Sequence, residues 1–90
     1  MKNIEPIVKL LTGITEDRTV PRNIRAAAEE AKKELTEKTN ETWDIRLSSA
    51  ISVLDEIIND PNMPMYTRTQ IWNVVSMLER IKRSIGDLNP

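Results

Sequence analysis

An all-α fold, a four-helix up-down bundle made of two pseudo-repeated helical hairpins, is predicted for this chain by three observations. Apolar residues recur at steps of three and four along most of the sequence, and β-branched residues never alternate with polar ones over a strand's length. The 90 residues hold only two glycines, and the breaker residues gather where apolar periodicity lapses. The third observation is an internal repeat: a gapless shift of 43 residues lays Leu11 on Leu54, Asp17 on Asp60, Pro21 on Pro64 and Arg25 on Arg68. Similar residues also coincide under that shift: Val8 with Ile51, Ile14 with Ile57, Val20 with Met63, and Leu35 with Leu78. Each hairpin so defined, about 4–38 and 41–86, is apolar on one side. The two must face each other to bury it, giving a single helical domain over residues 1–90.

The spacing predicts a first helix from Glu5 to Ile14, with Ile4, Ile7, Val8, Leu11 and Ile14 along one face. Asn3 is suited to cap it, and Pro6 fits a first turn where its missing N–H does no harm. A second helix is expected from Pro21 towards Lys38. Its inward stripe of Ile24, Ala27, Ala28, Ala31 and Leu35 is thin in volume and permits close helix approach. A third begins after Thr39-Asn40, placing Glu41 and Asp44 in its first turn, where the helix dipole favours anions. Trp43, Leu47, Ala50, Ile51, Leu54, Ile57 and Ile58 form its stripe, and Asn59-Asp60-Pro61-Asn62 ends it. The fourth runs from about Met65 to Ile85, with Ile71, Val74, Val75, Leu78, Ile81 and Ile85 inward. Arg80, Lys82 and Arg83 near its end complement the dipole, and Gly86 is the expected stop.

Composition excludes several chemistries. The absence of cysteine removes disulfides, thiolate nucleophiles and Cys-ligated zinc. The absence of histidine removes the commonest metal ligand and the usual neutral-pH proton carrier. A net charge of −1 supplies no global field for nucleic acid or anionic membrane. No apolar run approaches the ~20 residues of a membrane span, and the amino terminus does not resemble a signal peptide. A cytoplasmic protein with no cofactor, no metal and no small-molecule substrate is the expectation. No nucleophile–base pair or phosphate-cradling glycine loop is present, so no catalytic residue is assigned and enzymatic activity is not expected.

The pattern of a leucine-bearing helix, Asp17 or Asp60 in the turn, then apolar-Pro and Arg25 or Arg68, resembles a HEAT-type hairpin. Over the whole chain, the segment Asp17-Arg18-Thr19-Val20-Pro21-Arg22-Asn23-Ile24-Arg25-Ala26-Ala27 and its echo from Asp60 to Arg68 resemble a small archaeal family, uncharacterised protein family 0147. That resemblance implies archaeal origin and a four-helix bundle, and it brings no activity or site residues.

Three sets of residues remain as functional candidates. Asp17 with Arg25, and Asp60 with Arg68, read as structural turn pairs: an aspartate accepting backbone N–H groups and an arginine bridging the hairpins. Arg18, Arg22, Arg25 and Arg68 are candidate phosphate contacts for an RNA- or ribosome-associated role. Two Trp, one Tyr and no Phe offer little for base stacking. The third set comes from the disagreement between repeats, where Glu29 aligns with Trp72, Lys32 with Val75 and Glu34 with Met77. The fourth helix is therefore apolar around more of its circumference than the second. Either it lies deeper in the bundle, or Trp72, Val75 and Met77, extended by Met63, Met65 and Tyr66, form a partner surface. A non-catalytic protein–protein interaction or scaffold module, homodimeric through this helix, is the leading functional expectation.

Overall fold

The computed structural model describes residues 4–88, with side chains through Ile85. Asn3, the expected first cap, lies outside the described residues. Four helices follow in order: α1 (Glu5–Glu16), α2 (Arg22–Thr36), α3 (Trp43–Ile57) and α4 (Met65–Leu88). No strand occurs among the described residues. Each helix packs on the next, and α4 closes back on α1; the diagonal pairs touch least. Short loops make neighbours antiparallel. The α1–α2 and α3–α4 loops therefore share one end of a body measuring 43 × 22 × 20 Å.

The apolar stripes form these helices and then meet inside. Ile7, Leu11 and Ile14 of α1, Ile24, Ala28, Ala31 and Leu35 of α2, Leu47, Ala50 and Leu54 of α3, and Ile71, Val74 and Leu78 of α4 are buried together. Complete burial of each large aliphatic side chain contributes ~1.5–3 kcal/mol. Flanking positions of the expected stripes (Val8, Ile51, Ile57, Ile58, Val75, Ile81 and Ile85) are only half-buried against that core.

The repeat is realised bond for bond in the two loops. Val20 N–H donates to the Asp17 carbonyl at 3.1 Å, and Met63 N–H donates to the Asp60 carbonyl at 3.2 Å. Arg25 N–H donates to the Pro21 carbonyl and Arg68 N–H to the Pro64 carbonyl, each at 3.0 Å. Val20 and Met63 both turn inward and plug the core at the loop end.

At the opposite end, the decisive residue breaks the expected pattern. Arg46, which periodicity leaves outside the apolar stripe, is only 8% exposed. Its Nε donates to the Glu34 carbonyl and its Nη2 to the Glu37 carbonyl, both at 2.8 Å. Trp43 lies against the guanidinium, 4.0 Å from ring centroid to Cζ. The last carbonyls of a helix have no intrahelical donor, so Arg46 of α3 caps the end of α2. The cation also meets the negative end of that helix dipole.

Helix α1 runs on to Glu16, two residues past the expected Ile14, and three further boundaries differ from expectation. Extended backbone at Glu37 (ψ 148°) ends α2 at Thr36, short of Lys38. Thr42, rather than Thr39 or Asn40, caps α3: its Oγ1 accepts from Ile45 N–H at 3.3 Å. The Thr39 hydroxyl instead accepts from Glu41 N–H at 3.2 Å, which holds Glu41 in the loop. Finally, α4 passes through Gly86 to Leu88, so Arg80, Lys82 and Arg83 are not in its last turn. A glycine costs a helix only ~1 kcal/mol and does not by itself stop one.

Two stability outcomes follow. Gly13 is exposed on α1, and a Cβ built there meets nothing within 4 Å. Gly13→Ala should raise unfolding free energy by ~0.5–1 kcal/mol in urea titration. Arg46→Met retains bulk but strips both donors from the α2 carbonyls. It should cost ~1.5–3 kcal/mol in the same titration, the range for hydrogen bonds to charged groups.

Candidate interaction surface

The loop end carries the turn pairs. Asp17 Oδ1 accepts from the Thr19 N–H at 2.9 Å and from the Thr19 hydroxyl at 2.6 Å. Asp60 Oδ1 accepts the equivalent backbone bond from Asn62 N–H at 2.8 Å. Both aspartates thus fold their own turns, as turn chemistry requires. The arginines act differently from expectation. Arg68 Nη2 donates to the Asp60 carbonyl at 2.8 Å, not to its carboxylate. Arg25 influences Asp17 only through its charge. The bridge between hairpins is made by Asn23, whose Nδ2 donates to Asp60 Oδ2 at 2.8 Å. Nothing in the repeat marks Asn23, because the equivalent position is Tyr66.

The four candidate phosphate contacts do not form one basic face. Arg18 and Arg22 are exposed beside the start of α2, whereas Arg68 belongs to α4, diagonally across the bundle. Arg25 and Arg68 are half-buried, and the Nε of each is a buried donor without a partner. The ends of α1 and α3 between them bring Glu16, Asp17, Asp55 and Glu56. Among the described residues, no group of three or more carboxylates is placed to hold a metal ion.

Of the two readings of the fourth helix, deeper burial does not hold at Trp72, Met65 or Tyr66. Trp72 is 60% exposed, Met65 75% and Tyr66 73%, so this part of α4 is not sunk in the bundle. Met65 and Trp72 are seven residues apart and share one face. With Arg68, Thr69 and Asn73 they line a shallow groove of ~270 Å³. Tyr66 lies about 100° round the helix from Met65 and flanks that face. Val75 and Met77 are half-buried against the core and form only its margins. Met63 must be removed from the surface altogether: it is 6% exposed and fills the core, as its repeat partner Val20 does. A second groove, lined by Met77, Arg80, Ile81 and Ser84, opens further along α4. Ile45 of α3, 48% exposed, is a large apolar residue outside the apolar stripe of its helix.

The sequence profile of the uncharacterised protein family UPF0147 matches residues 1–81. The chain belongs to this family. UPF0147 relatives include proteins of Methanocaldococcus jannaschii, 56% identical over 88% of this chain and 84% of that one, and Archaeoglobus fulgidus, 49% identical over 89% and 90%. These relatives are archaeal. Among solved structures, the UPF0147 protein of Thermoplasma acidophilum superposes with a TM-score of 0.80 at 37% identity, covering 87% of this chain and 91% of that one. A crystal structure of a protein of unknown function superposes with a TM-score of 0.81 at 51% identity, covering 86% of each chain. The compact helical fold is therefore shared by this UPF0147 protein and its relatives. No helix among the described residues is long and apolar enough to cross a membrane.

The turn predicts a pH response. The Thr19 hydroxyl, then the Thr19 N–H, and to a lesser extent the Arg25 charge favour ionised Asp17 and hold its carboxyl below the ordinary value of 3.8. The lowered pKa makes its contribution complete above that ordinary value and lost as pH falls through the folded-state pKa. The melting-temperature gap between wild type and Asp17→Ala should be constant near neutrality. It should narrow only once the pH drops below 3.8.

Proposed function

We propose that this UPF0147 protein is a non-catalytic helical interaction module of the cytoplasm that docks a protein partner through the outer face of α4. The observation that carries this reading is the exposure of Trp72 beside Met65 in an apolar groove. The equivalent positions of the first repeat are Glu29 and Arg22. The bundle closes with charged residues at those positions in α2, so closure alone does not require tryptophan and methionine on α4. Tryptophan is enriched where interfaces concentrate their binding energy, and methionine adapts to irregular partner surfaces.

A nucleic-acid role draws less support, because Arg25 and Arg68 are half-buried and stand beside Asp17 and Asp60. Tyr66 and Trp72 are exposed, yet they point about 120° apart around α4 and give no continuous stacking platform.

Trp72→Glu separates docking from folding. An exposed substitution should change stability by no more than ~0.5 kcal/mol. The same variant should lose partners captured by the wild type from native extract and any self-association seen in sedimentation. A variant that keeps every partner and every sedimentation property of the wild type removes α4 as the docking face.

A further inference from the structure

Resting on the docking reading of α4, we infer that the occupant of its outer face is an acidic, apolar helical segment of a different protein, not a second copy of this chain. The argument is electrostatic. Along α4 the sequence places Arg68, Arg80, Lys82 and Arg83 against only Glu79 and Asp87, whereas the chain as a whole has a net charge of −1. The helix that exposes apolar surface is therefore a basic helix on an otherwise acidic protein.

Two grooves of α4 repeat this chemistry locally. One combines Met65 and Trp72 with Arg68, the other Met77 and Ile81 with Arg80, and neither contains a carboxylate. Lys82 and Arg83, by contrast, line a third with Glu79 and with Asp44 of α3. Small polar residues, Thr69 within the first groove and Ser76 beyond it, are exposed and allow a helix to cross closely. Apolar anchors flanked by arginine call for apolar side chains flanked by carboxylates.

A second copy supplies the wrong charge. Packing α4 on α4 in parallel sets each cation against itself. In the antiparallel register that brings Trp72 beside Ser76 of the other copy, Arg68 falls opposite Arg80. Like charges set against each other at an interface oppose association and select against such a pairing.

The test uses the full chain and two synthetic amphipathic peptides with the same leucine stripe, one flanked by glutamate and one by lysine. Fluorescence of Trp72 is followed in wild type, with Trp72→Phe reporting Trp43 alone. The glutamate peptide should bind at least about tenfold more tightly than the lysine peptide at low salt, and the gap should shrink as salt rises. In an Arg80→Glu/Arg83→Glu variant, both sites being exposed, the preference should reverse. Equal binding of both peptides, or no reversal, overturns the acidic partner and leaves docking intact. A wild-type dimer in sedimentation that Trp72→Glu dissolves overturns it in favour of a second copy. Binding to phosphatidylserine vesicles but to neither peptide assigns the face to lipid and overturns the inference. If neither peptide nor vesicle binds and Trp72→Glu changes no captured partner, the docking reading itself falls.

Discussion

Two hairpins, each apolar on one side only, have to close on each other, and every other feature of this bundle is set by that closure. A chain of this length buries only somewhat over ~60% of its unfolded surface, so little core is available to hold the halves in register. The alanine-rich stripe of α2 adds little volume and lets α3 approach closely. Close approach alone does not fix where α3 sits along α2. Arg46 does, because its two bonds to the Glu34 and Glu37 carbonyls have a definite position along the helix axis. At the other end, Asn23 holding Asp60 fixes the α3–α4 loop against the start of α2.

Much of this was legible in the amino-acid order because it depends on local spacing. The stripes of α1, α2 and α4 appear as three- and four-residue steps, and the residues at their centres are the buried ones. The loops were legible through the repeat, whose matched Asp and Pro make matched backbone bonds. Arg46 was not legible, because periodicity sorts charged residues outward and cannot see orphan carbonyls on a neighbouring helix. The start of α3 was ambiguous for a related reason: Thr39 and Thr42 carry the same capping group, and only chain direction after α2 selects between them. Met63 shows the reverse case. Its alignment with buried Val20 already pointed inward, and grouping it with the neighbouring methionines obscured that signal.

The exposure of Trp72 lay beyond sequence reasoning in principle. A helix apolar around most of its circumference fits equally a buried helix and a helix with one face spare. Only the positions of the other three helices discriminate. Once α3 and α1 take the two flanks of α4, and Ile71, Val74 and Leu78 fill the interior, the Met65–Trp72 side has no packed neighbour among the described residues.

The asymmetry of the duplicated unit then acquires a physical meaning. Both repeats keep what closure needs: the turn aspartate, the inward apolar residue, the proline and the buried stripe. They differ on the faces that closure leaves free. The outer side of α2 carries Glu30, Lys33 and other charged residues, whereas the outer side of α4 carries Met65 and Trp72 among arginines. The turn and core residues are thus shared by the halves, whereas Asn23 and Arg46, which set the register, and the residues that meet the surroundings are not. Exposed apolar surface on a small protein favours aggregation unless charge beside it limits which surfaces approach. Arg68 and Arg80 line the two apolar grooves of α4, and under the proposed docking these cations would supply that restriction.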